Sequence, residues 1–248
     1  MARNLEEVLH YFLEEEPHSP EGPAAQRAGI LAVSVPPGDL LRATLVWNLA
    51  VEVAGSGIST CLLVPGASDA HTLWPPADPG DLQRLEVAGS GPEELGRAAA
   101  EVAAKPGRRP ALVWVPIPTG VLLEAGAEWI RWLLLLTTPR PRDLARSSEL
   151  AARLLTRSPA LRLGVLVHGV ARIRQARAAF ESLAATVEAR TGRSVWSYGL
   201  APEGLDLYRA LAGRSHLSGL RPEGGAARAL RDAARWIRED LLQGFGGA

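Results

Sequence analysis

Hydrophobic and polar positions alternate along the chain in two rhythms. Five short, nearly continuous apolar runs recur: "GILAVSV" (29–35), "STCLLVP" (59–65), "ALVWVPI" (111–117), "WLLLLTT" (132–138) and "LRLGVLVH" (161–168). Unbroken apolar runs of that length suit parallel strands covered on both faces. "LQRLEVAG" and "SVWSYGLA" are weaker strand candidates. Between the runs, residues 40–54, 92–104, 142–156, 174–190 and 224–243 carry helical spacing. Alternating strands and helices predict an α/β fold, a doubly wound, mostly parallel sheet with helices on both faces. Ligands of such sheets bind at the carboxyl ends of the strands, so chemistry is to be sought in those loops.

The chain ahead of residue 29 has a different pattern. Leu5, Val8, Leu9, Phe12 and Leu13 form one stripe at i, i+3, i+4, i+7 and i+8, which predicts a short amphipathic helix over 1–16. Asn4 and Glu7 have the spacing of a capping box. Residues 17–28 are rich in Pro and Gly and read as a linker. The domain is expected to run over 29–243, with a short flexible tail at 244–248. The N-terminal stripe must dock somewhere, either on its own domain or on a partner. Near the other end, Ala227, Leu230, Ala234, Ile237 and Leu241 make a second stripe. Glu239 and Asp240 offset Arg238 there, so the basic face a membrane helix needs is weak and packing on the domain is expected.

Composition narrows the classes. The formal net charge is zero over 248 residues, so the whole molecule is not a general polyanion binder. Locally, residues 139–193 hold eleven arginines against Asp143, Glu149, Glu181 and Glu188, while five glutamates lie in residues 1–16. Cys61 is the only cysteine, which excludes an intrachain disulfide and a cysteine-based zinc site. Its apolar setting, "STCLLV", marks a small core residue. No stretch approaches the ~20 apolar residues of a membrane span, and the start lacks a signal-peptide pattern; a cytoplasmic protein is expected. Of the seven tryptophans, Trp47, Trp114 and Trp132 sit in core-like patterns, and Trp74 in "HTLWPPADPG" is the better surface anchor.

The first strand–helix loop, "PPGDLLRAT" (36–44), occupies the place of a phosphate loop but lacks its chemistry. Such a loop needs glycines that let backbone N–H groups approach phosphates, a lysine, and a Ser/Thr for Mg²⁺. Here Gly38 is the sole glycine, and Pro36 and Pro37 each lack an N–H. Asp39 adds negative charge. Arg42 is no equivalent of lysine, and Thr44 lies one residue late. A structural turn is the better reading. Asp69, His71 and His168 are isolated candidates at other loops and strand ends. His168 reads first as a satisfied core histidine. There is no G-x-S-x-G nucleophile elbow and no two-histidine metal spacing; neither a metal nor another cofactor is expected.

The order of these pieces resembles the MinD/ParA family of P-loop ATPases, most closely its flagellar-placement branch, FlhG. The resemblance rests on "WLLLLTTPRPRDLARSSELAARLL", similar to a strand ending in TTP-x-P followed by a helix. It continues through "LRLGVLVHGVARIRQARAAFESLAATVEARTGRSVWSYGLAPEG" and, more weakly, to residue 240, where the family has a loop, a proline and a closing helix. It implies a degenerate P-loop NTPase fold. The family motif K-G-G-x-G-K-[ST] places its signature lysine on Pro37, its Walker lysine on Arg42 and its Mg²⁺ hydroxyl on Ala43. The D-x-D pair falls on Pro65 and Ala67, the Walker B aspartate on Val115, and the adenine-reading asparagine on His168. Seven replaced positions at four strand ends imply a pseudo-ATPase.

The expected function is therefore a non-catalytic interaction scaffold or spatial-positioning adaptor. Its partner would be itself, an active MinD/ParA-like paralogue, or a protein of a motility or division system. Pro36, Pro37, Trp74, Pro75 and Pro76 would supply a drier contact surface than a nucleotide does. The alternatives are residual nucleotide binding through Gly38, Arg42, Thr44 and His168, and ParA-like nonspecific DNA binding through Arg172, Arg174 and Arg177. For the last, a solvated helix face is the plainer reading.

Overall fold

The computed structural model describes residues 28–66, 82–89, 91–105, 110–124 and 127–244. The expectations for Leu5, Val8, Leu9, Phe12 and Leu13, for Asp69 and His71, and for Trp74 lie outside the described residues. The apolar runs form strands β1 (Gly29–Val35), β2 (Thr60–Pro65), β4 (Leu112–Pro118), β5 (Trp132–Thr137) and β6 (Arg162–Val170). The two weaker candidates are strands as well, β3 (Leu82–Val87) and β7 (Trp196–Pro202). All pairings are parallel, in the order β3-β2-β4-β1-β5-β6-β7. The chain leaves β1 toward one edge, returns through β4, and then builds the other half from β5. The switch point therefore lies over β1, flanked by β4 and β5.

The five predicted helices are α1 (Leu40–Gly55), α2 (Pro92–Ala104), α3 (Pro141–Arg157), α4 (Ile173–Thr191) and, last in the chain, α7 (Gly225–Leu242). Their boundaries follow local chemistry. Asp39 caps α1 by accepting the N–H of Arg42, and proline opens α2 and α3 where a missing N–H costs nothing. Gly192, at φ +66°, closes α4 in the left-handed conformation that favours glycine. Two short helices, α5 (Leu205–Ala212) and α6 (Leu217–Leu220), stand where the resemblance implied a loop. At eight and four residues they offer too few turns for a stripe to stand out in the sequence, and Leu207, Ala210 and Leu217 turn inward.

Alternation along the strands feeds two cores. Leu31 and Val33 face one side with Trp47, Trp114, Trp132, Leu134 and Tyr198, covered by α1 and α7. Ala32 faces the other with Val113, Val115, Leu133 and Val165, covered by α2, α3 and α4. The stripe Ala227, Leu230, Ala234, Ile237 and Leu241 is buried in the first core, so α7 spends its apolar face on the domain. The indole of Trp132 donates to the Tyr198 hydroxyl at 2.8 Å, which donates to Asp240 at 2.5 Å. That buried chain links β5, β7 and α7. Trp47, Trp114 and Trp132 are each at most 1 % exposed, as their patterns predict.

Candidate functional site

The carboxyl ends of β1, β4, β5 and β6 converge on the loop at residues 36–39. Its turn is built by glycine: Gly38 has φ +72°, a conformation side-chain-bearing residues rarely adopt. The turn and the helix start consume several of their own donors. Asp39 donates its N–H to Pro36 O at 3.1 Å, and Leu40 donates to Gly38 O at 3.0 Å. Arg42 donates its N–H to Asp39 Oδ1 at 3.0 Å, and Ala43 to Asp39 O at 3.1 Å. With two prolines ahead of them, these groups are folded into the turn and the helix start.

A side-chain triangle sits above the turn. Arg42 Nε lies 3.5 Å from Asp39 Oδ2 and donates to His168 Nε2 at 3.1 Å. Accepting that bond requires a neutral imidazole with its proton on Nδ1. Burial drives the His168 pKa down to about 4, and the Arg42 guanidinium adds to the effect. Asp39 and Asp143 oppose the shift, and Arg140 reinforces it. His168 is thus a buried core histidine that also fixes Arg42, 126 residues away in sequence.

The positive end of α1 faces this point, where the helix dipole favours an anion. A carboxylate of the chain itself, Asp39, already occupies it and is balanced by Arg42. Thr44 is buried and spends its hydroxyl on Leu40 O, at 2.8 Å within its own helix. At the ends of the flanking strands the polar groups also pair with one another. Ser34 and Thr119 hydroxyls meet at 3.0 Å, Ser147 donates to Thr137 at 2.9 Å, and Thr138 donates to Asp143 at 2.5 Å. Val115 lies inside the sheet with no exposure, and Pro65 is buried.

The structure brings together Gly38, Arg42 and His168 from the sequence-derived set. Arg172 and Arg174 lie apart from the triangle, exposed at the start of α4. Arg177 is half-buried one turn on, with its Nε 3.8 Å from Glu181. Cys61 is buried and its thiol is pushed up to about 11, chiefly by burial, which disfavours the nucleophilic thiolate. Among the described residues no group of His, Cys, Asp and Glu could hold a metal ion, and no helix is long and apolar enough to cross a membrane. The pairing of Asp39 with Arg42 had a local signal, an acid at the N-cap and a base three residues later. The part played by His168 in holding Arg42 had none.

No protein-family model matches the chain, and no curated protein matches it in sequence. Solved structures do. MinD in the MinC:MinD cell division complex of Aquifex aeolicus is 15 % identical, with a TM-score of 0.65 over 86 % of this chain and 96 % of that one. The MinD septum site-determining protein of Pyrococcus horikoshii, complexed with Mg-ADP, is 13 % identical, with a TM-score of 0.62 over 88 % and 98 %. A putative plasmid partition protein of Borrelia burgdorferi bound to AMPPNP is 9 % identical, with a TM-score of 0.61 over 86 % and 99 %. The chain has the fold of the MinD and ParA-type P-loop ATPases.

Proposed function

We propose that this protein is a pseudo-ATPase on a MinD-type scaffold, closest in organisation to the FlhG branch, which acts by binding another protein rather than by turning over a nucleotide. One observation carries the reading: the anion site at the start of α1 is filled by Asp39, neutralised by Arg42 and locked by neutral His168. A triphosphate would have to displace a carboxylate already bonded to the helix. It would also meet a turn in which the N–H groups of Asp39, Leu40 and Arg42 are bonded to the chain itself. No hydroxyl at Ala43 is available for Mg²⁺.

The partner is a protein: a second copy, an active MinD/ParA-like paralogue, or a component of a motility or division system. That one of its structural neighbours was solved as a MinC:MinD complex supports a protein partner for the scaffold. Thermal melts with and without millimolar Mg-ATP, Mg-ADP and Mg-GTP test the reading. A ligand at 100 times its Kd contributes about 2.7 kcal/mol, a rise of roughly 5–10 °C for a domain of this size. We expect no shift. A rise with any nucleotide would overturn the proposal and favour residual binding through Arg42.

A further inference from the structure

At the opposite end of the sheet from the 36–39 loop, a cleft of about 230 Å³ opens between the start of β5, the end of α3 and the start of β6. Its floor is apolar, formed by Leu122, Ile130, Leu133, Leu154 and Leu161, all nearly fully buried. Its rim carries Arg131, which is exposed, and Arg157, which bonds Glu128 at 2.6 Å and Leu123 O.

The described chain begins beside this cleft. β1 pairs with β5 in parallel with Ala32 opposite Leu133, so three residues earlier Gly29 is level with Ile130. Adjacent strands lie about 4.8 Å apart. Ala28, Ile30 and Ala32 alternate onto the sheet face that carries the cleft, where Ile30 and Ala32 pack in the second core. Residues 17–28 can span up to ~40 Å when extended, far more than residues 1–16 need to reach the cleft. Those residues hold an apolar stripe, and their other positions include five glutamates against Arg3 alone among the charged groups. Arg157 is already paired with Glu128 on this rim, so the charge match rests on Arg131: an apolar floor beside that exposed guanidinium suits an apolar stripe with an acidic flank.

We propose that residues 4–16 dock in cis on this cleft, with Leu9 or Phe12 entering its floor and Glu6, Glu7 or Glu14 facing Arg131. The docking caps the sheet at the end away from the pseudo-ATPase site and stands independently of how that site is read. An N-terminal partner would then have to compete with the domain for the segment.

Hydrogen exchange on the full chain tests this, comparing the wild type with Arg131→Glu and with Phe12→Asp at several protein concentrations. Thermal melts verify that each variant is folded. The expected result is amide exchange over residues 5–13 slowed about tenfold or more, independent of concentration and lost in both variants. Residues 154–161 should lose protection in Phe12→Asp as well. A triple variant, Arg131→Glu with Glu7→Arg and Glu14→Arg, should regain the protection. Unprotected amides in the wild type would overturn the proposal. So would protection that rises with protein concentration, which marks a second copy as the occupant, or protection that both variants retain.

Discussion

Replacing Asp39 by Asn separates the two tasks that residue performs. Asn caps helices as well as Asp, so its side-chain oxygen still accepts the Arg42 N–H, now 3.0 Å from Asp39 Oδ1. What disappears is the negative charge 3.5 Å from Arg42 Nε. At an effective dielectric of ~20, charges that close attract by about 5 kcal/mol. Most of that is offset by desolvation and solvent screening, because the Asp39 side chain is 30 % exposed and that of Arg42 14 %. A net loss of about 1 kcal/mol remains, or roughly 2–4 °C in Tm. The compensating gain is an anion site: a helix N-terminus with an unbalanced guanidinium beside it. The assay is a thermal melt of wild type and Asp39→Asn in sulfate and in Mg-ATP, with chloride at matched ionic strength as control. The variant should be stabilised selectively by the polyvalent anions and the wild type should not. If both respond alike, or if the variant ignores both anions, Asp39 does not stand in for a bound phosphate.

Two further outcomes follow from the same structure. His168 titrates near 4 when folded and near 6.5 when unfolded, so the unfolded chain binds more protons between those values and stability falls as pH drops from 7 to 4. Its share over that range is about 3 kcal/mol, so denaturant unfolding of His168→Gln should lose about that much less stability than the wild type between pH 7 and 4; equal losses would refute it. Gly164→Ala would place a methyl 1.9 Å from the Tyr198 ring, in a strand buried on both faces. Overpacking of about 1–3 kcal/mol is expected, read as a lower denaturation midpoint, and an unchanged midpoint would show that the ring can move at no cost.

Much of this protein was legible along the chain. Continuous apolar runs such as "WLLLLTT" identify two-sided strands because a parallel strand must be buried on both faces, and that demand falls on every residue. The stripe from Ala227 to Leu241 and the tryptophans at 47, 114 and 132 announced the core for the same reason. The short helices α5 and α6 were not legible, since eight and four residues make too few turns for a period to stand out. At the candidate site, the sequence told which groups a phosphate loop lacked: two N–H donors, a lysine and a hydroxyl at the right position. It could not tell how the groups that are present pair with one another. Arg42 and His168 were named separately, as stand-ins for a lysine and an asparagine. Only the sheet order, which sets β1 two strands from β6, puts the imidazole within 3.1 Å of the guanidinium. Composition and periodicity are properties of neighbours in sequence and so determine elements and cores. A hydrogen bond that fixes a guanidinium across 126 residues depends on distance in space, which the packed fold alone decides.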